Sequence, residues 1–208
     1  MDGRHATGDP MIKVWRAGVA TAVFLLALLA VHWVHVRFLT VDVVLYSALV
    51  DGLVACLVGA AVLFGARWFW PLSIFEKFQL CLIWILAAYA FAISVPTVID
   101  RSLSFYILEK LDQRGGGIRL DRFGEVFVDE YMPEHRLVQV RLTEQLASGT
   151  ILIEDDCVRL TGRGERLAAF SRFYRLHFLP RNRLLMGEHS DALIDPFRDG
   201  VESPGYEC

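Results

Sequence analysis

The chain has 208 residues, 54% of them hydrophobic, and a formal net charge of −3. Such an apolar share, gathered almost entirely before residue 100, argues against a single soluble globular domain and predicts two regions in two solvents. The near-balanced charge calls for neither a nucleic acid nor an acidic ligand. Cys56, Cys81, Cys157 and Cys208 form no CxxC pair or Cys/His cluster of the kind that marks zinc or a disulfide framework.

Residues 1–13 are expected to be a disordered N-terminal tail. A transmembrane region, residues 14–99, follows. A bilayer core of about 30 Å needs about 20 apolar helical residues. Three stretches meet that length, at about 17–36, 43–66 and 78–98. The first is too long for a signal-peptide core and lacks a small-x-small cleavage site, so it is expected to be retained. Trp15, Trp33, Trp68 and Trp70 mark headgroup levels, with Arg67 and Lys77 beside the latter pair. The short connections predict antiparallel neighbours. Basic residues number five on the N-terminal side and four on the other, which leaves orientation open. A bacterial cytoplasmic membrane is the expected setting, with the soluble region on the cytoplasmic side.

Asp51 lies deep in the second span, where an ionised acid costs about 2.5–3.5 kcal/mol. It must be protonated, partnered or turned to other helices. His32 and His35 share one face near the end of the first span. They could approach Asp51, although Asp51 is expected about one turn deeper. A proton relay, an ion path and a docking contact are open readings, beside a purely structural hydrogen bond. Gly52, Cys56 and Gly59 form a small-residue face suited to close helix approach, within the bundle or with a partner. Pro96 should kink the third span, and Asp100 and Arg101 mark the membrane exit as a hinge.

A soluble domain is expected over 100–186. The spacing predicts helices over 103–113, 120–131 and 133–148, with Pro133 breaking the chain before the third. Thr150–Ile153 and Cys157–Leu160 flank the acidic turn Glu154-Asp155-Asp156 as a β-hairpin, and Thr161 caps a last helix. The run from Leu142 through Ser148-Gly149-Thr150-Ile151 to Leu160-Thr161-x-x-Gly164 resembles the winged helix-turn-helix fold over about 103–180. The resemblance implies a small α+β domain whose third helix would present Arg136, Gln139 and Thr143 to a groove. Three acids at the wing tip, and 14 basic against 12 acidic residues over 101–186, argue against DNA as its ligand. The last helix is apolar over a wide arc flanked by Arg166, Arg172, Arg175 and Arg181. That pattern fits a lipid or partner surface, with a core helix bearing a solvated basic face as the alternative. Residues 187–208 read as a disordered acidic tail.

The fold class expected is therefore mainly α: a three-span transmembrane helical bundle followed by a small winged-helix-like α+β domain. No nucleotide loop, nucleophile elbow or metal motif occurs, so no catalytic, cofactor or metal site is assigned. Gly115-Gly116-Gly117 lacks the Lys-Ser/Thr of a phosphate loop and reads as a linker. The expected function is a non-catalytic accessory or regulatory subunit. Its partners would be the lipid bilayer and either a larger membrane protein, such as an envelope glycan or lipid biosynthetic assembly, or further copies of itself. The alternatives are a membrane-tethered winged-helix transcription regulator and a small enzyme or carrier using Asp51 with His32.

Overall fold

The computed structural model describes residues 10–198. The chain is mainly helical and divides into two compact units, residues 1–134 and 135–208.

In the first unit, α1 (Pro10–Phe38), α2 (Val44–Gly65) and α3 (Ile74–Ser94) are joined by short connections. All three are long and apolar enough to cross a membrane, with mean hydropathies of 2.1, 2.2 and 2.2, the third counted through Arg101. At 1.5 Å per residue α1 is about 43 Å long, more than the hydrocarbon thickness. Its first turns carry Lys13 and Arg16, and the helix starts at Pro10, inside the stretch expected to be a tail.

The bundle closes on one apolar core. Phe24 of α1 and Trp84 of α3 stack with ring centroids 5.2 Å apart, among Leu28, Ala55, Leu63 and Ala88. Trp84 is fully buried, so its indole N–H needs an acceptor. It donates to Thr21 Oγ1 at 3.1 Å. The end holding the α2–α3 loop is pinned to α1 by polar contacts. Ser73 and Glu76 form a reciprocal capping box at the start of α3, and Lys13 Nζ reaches Glu76 at 3.0 Å. Arg16 donates to the Trp68 carbonyl at 2.7 Å while lying over its ring.

Pro96 interrupts the third span as predicted. α3 stops at Ser94, and α4 (Pro96–Arg101) restarts with the proline in its first turn, where no N–H is required. Ser102 then caps α5 (Leu103–Gln113), accepting from the Phe105 N–H. A further helical segment, α6, covers residues 120–134. It runs through Pro133 instead of stopping before it. The segment widens at Val126–Tyr131, where the Met132 N–H donates to the Phe127 carbonyl five residues back. This wider turn eases the clash of a proline ring with the carbonyl four residues earlier. The break falls at Arg136, in the left-handed region at φ 46°.

The second unit holds α7 (Leu137–Ala147), an antiparallel hairpin of β1 (Ile151–Glu154) and β2 (Cys157–Leu160), and α8 (Gly162–Phe178). Gly149, at φ +67°, stops α7 in the left-handed conformation that spares glycine a side-chain clash. Asp155 and Asp156 both take positive φ, the geometry of a two-residue turn matched to strand twist. Thr161 ties hairpin to helix. Its N–H donates to the Thr150 carbonyl, its hydroxyl donates to the Gly149 carbonyl at 2.8 Å, and that hydroxyl oxygen accepts from the Gly164 N–H. A Cβ on Gly164 would collide with the Thr150 carbonyl oxygen.

A second hairpin, β3 (Arg183–Leu185) with β4 (Glu188–Ser190), takes up the start of the expected acidic tail. Beyond it, Arg198 forks onto Asp191. The rest of that tail, like residues 1–9, lies outside the described residues. The five elements grouped in sequence as one winged domain are divided between the two units, and two small two-stranded sheets are present. Cys157 is disulfide-bonded, contrary to the reading that the cysteines indicate no such framework, whereas Cys56 and Cys81 are free thiols.

Candidate functional site

Asp51 is 1% exposed on the inner face of α2. Both of its oxygens are taken by α1. The Nδ1 of His32 lies 2.7 Å from Oδ2, and the Nδ1 of His35 lies 2.5 Å from Oδ1. Which partner donates in each pair follows from the imidazole tautomer: an Nδ1 that carries a proton donates to the carboxylate oxygen it faces. One acid thus clamps two histidines three residues apart, and the sequence expectation of a single His32–Asp51 approach becomes a three-residue cluster.

The depth mismatch foreseen from sequence is closed by side-chain tilt. Measured along the helices, Asp51 lies about 10 Å from the start of α2, while His32 and His35 lie about 9 and 4.5 Å from the end of α1. Cα–Cβ bonds lean toward each helix's N-terminus. In an antiparallel pair this sends the histidines inward from the α1 end and Asp51 outward toward it. His35, a full turn shallower, reaches the carboxylate for this reason. The edge of the Phe91 ring from α3 meets His32 at 5.3 Å between centroids, so the cluster is packed from a third helix. Beside it a groove of about 420 Å³ runs between α1 and α2, walled by Val31, Val34, Val50 and Val54 with His35 and Asp51 at its polar end.

The small-residue face is used inside the bundle. A Cβ on Gly52 would stand 2.8 Å from the Ala88 Cβ, and one on Gly59 would stand 3.0 Å from the Trp84 ring. Cys56 packs against the same core. Gly52 and Gly59 thereby let α3 approach α2 closely within the bundle. Pro96, Asp100 and Arg101 all lie on α4, the short helix between α3 and α5. Arg166, Arg172 and Arg175 lie on α8, and Arg181 follows it.

Sequence reasoning missed a second polar cluster. Lys110 of α5, 6% exposed, sits 2.6 Å from Glu134 and 2.8 Å from Glu130, both on α6. Tyr106, one turn before Lys110, donates to Glu134 at 2.9 Å, and Arg114 reaches Glu130 at 2.6 Å. The two carboxylates accepting from Lys110 hold its ammonium above the usual lysine range. Lys110 in turn draws Glu130 and Glu134 below the usual carboxylate range. A signal was present: Tyr106/Lys110 and Glu130/Glu134 are each spaced i,i+4, so both pairs present matching faces. Among the described residues no group of three or more His, Cys, Asp or Glu could hold a metal ion.

Comparison of this chain with protein-family models, with curated proteins and with solved structures finds no match.

Proposed function

We propose that this chain is a non-catalytic integral membrane subunit that docks onto a larger membrane assembly, its spans providing the anchor and its region beyond residue 134 the contact. One observation carries the reading. Among the described residues of that region, Cys157 supplies the sole buried hydrophobic side chain. Val138 and Leu146 of α7 and Ile153, Val158 and Leu160 of the hairpin are all exposed. A folded segment of this size ordinarily hides a far larger fraction of its surface, and contiguous exposed apolar surface marks interaction sites.

The order α7, hairpin, α8 supports a winged type of contact module. The acidic hairpin tip, Asp155 and Asp156, supports a protein partner over a phosphate backbone. Inside the membrane, Asp51 has both oxygens occupied by hydrogen bonds between helices, which supports a bracing carboxylate over a reacting one.

The test is extraction of tagged full-length chain in mild detergent. One stoichiometric protein should co-purify, and Val158→Glu with Leu160→Glu should abolish its recovery while the variant stays in the membrane fraction. A chain recovered alone, or a partner held equally well by that variant, refutes the proposal.

A further inference from the structure

We infer that α8 is a peripheral membrane helix whose aromatic face lies on an anionic lipid surface, on the membrane that the spans of the same chain cross. The inference goes beyond the docking reading and concerns a different element.

The core-helix alternative fails on burial. Of the seventeen residues of α8 only Gly164 is buried. At 100° per residue, Leu167, Phe170, Phe173, Tyr174, His177 and Phe178 fall within an arc of about 140°. The large apolar members are exposed, from 47% for Tyr174 to 63% for Phe178. Their rings already stack on one another: Phe173 on His177 at 4.5 Å, Tyr174 on Phe178 at 5.3 Å, and Phe170 tilted on Tyr174 at 6.1 Å. The other face is met by the chain itself, where Arg172 and Arg175 line a cavity of about 230 Å³ with Pro196 and Phe197. One face is thus attended from within and the aromatic face is left bare.

Charge identifies what covers it. Between residues 162 and 187 six arginines (163, 166, 172, 175, 181 and 183) stand against one acid, Glu165, a net of +5. A second copy meeting this face by a two-fold axis would bring the same arginines together, which like-charge repulsion opposes. A sheet of lipid phosphates answers both features, since rings settle at the headgroup boundary while guanidinium groups reach phosphate oxygens. The spans hold the chain permanently at such a surface, so the local concentration of ligand is always high.

The test uses the full-length chain with Cys56→Ala and Cys81→Ala, and a nitroxide placed through Phe170→Cys, Tyr174→Cys or, on the other face, Arg172→Cys. The protein is reconstituted in phosphatidylcholine vesicles with or without about one third phosphatidylglycerol. With anionic lipid, labels at 170 and 174 should be reached by oxygen in preference to a water-soluble nickel reagent, and the label at 172 should show the reverse. Arg163→Glu with Arg166→Glu, or removal of the anionic lipid, should shift both ring-face labels toward water by about thirtyfold or more in their partitioning, as expected for losing roughly 1 kcal/mol per arginine at two positions, with about 1.4 kcal/mol per tenfold. Labels equally exposed to water in both lipids overturn the inference. So does spin–spin broadening, which reports a second copy, or immobilisation that persists in lipid-free detergent, which reports a protein cover. None of these results alters co-purification through the hairpin, so the two readings fail separately.

Discussion

Replacing Asp51 tests whether the intramembrane cluster is a hydrogen-bonded brace or a charged device. Asp51→Ala removes the acceptor for both His32 and His35 and so cuts two links between α1 and α2. Polar links between helices in a bilayer average about 0.6 kcal/mol and reach about 1.7, so two together set an expected loss of about 1–3 kcal/mol. Asp51→Asn behaves differently. Its amide oxygen accepts from one Nδ1–H, and its NH2 donates to the other Nδ1 once that ring shifts its proton to Nε2. Both links survive, so the expected loss is under about 1 kcal/mol. The assay is reversible unfolding of the full chain in mixed micelles, read by helical circular dichroism, with His35→Ala alone and combined with Asp51→Ala to complete a double-mutant cycle. A stability for Asp51→Ala within about 0.5 kcal/mol of the parent would refute the brace. Equal damage from Asn and Ala would show that charge, not hydrogen bonding, holds the helices.

Three further outcomes follow from the packing and the second cluster. Gly52→Ala should cost about 1–3 kcal/mol by forcing α2 off Ala88, with much of it recovered in the double variant Gly52→Ala/Ala88→Gly; failure of the rescue would show that this contact does not set the helix distance. Gly164→Ala should disturb the junction of hairpin and α8, because the added methyl meets a backbone oxygen that cannot swing away, and faster amide exchange at Thr150, Thr161 and Gly164 should report it without loss of the transmembrane helices. Glu130 and Glu134 titrate below their unfolded values, so their contribution to the α5–α6 contact is complete above the ordinary carboxylate range and is lost as pH falls through their lowered folded values. Lys110, raised in the fold, contributes fully below its ordinary value and is lost only in strong alkali. Acid should therefore release α6 from α5 first, and Lys110→Met should remove this acid step from exchange or proteolysis profiles.

The membrane bundle was legible in sequence because hydrocarbon thickness imposes a length that composition alone can meet. The starts of α1 and α3 were not, since Lys13, Arg16, Glu76 and Lys77 continue the helices beyond the apolar stretch, where a change to polar residues does not mark an end. Capping chemistry read well at Thr161 and Gly149, whose roles depend on neighbours a few residues away. It failed at Pro133, because a widened turn over 126–131 let the ring pass and moved the break to Arg136. Asp51 could be flagged from its depth. That two histidines would meet it depended on side-chain tilt in an antiparallel pair, which spacing along either helix does not carry. The Gly52 face could be recognised as close-packing, but its partner, Ala88 of α3, is a three-dimensional fact. The Lys110 cluster needed α5 and α6 placed side by side before two i,i+4 pairs became one network.

The bonded sulfur of Cys157 turns a question of orientation into one of redox chemistry. Such a link endures outside the cytosol and is ordinarily undone by glutathione and thioredoxin within it. Intact cells treated with a thiol-blocking reagent before lysis would preserve whichever state the residue holds in life. A Cys157 that takes up label only after reduction puts the carboxyl-terminal half beyond the cytosol, with Lys13, Arg16, Arg67 and Lys77 on the inner leaflet; one that reacts at once puts it inside. A single cysteine therefore gives the handedness of the whole chain across its membrane.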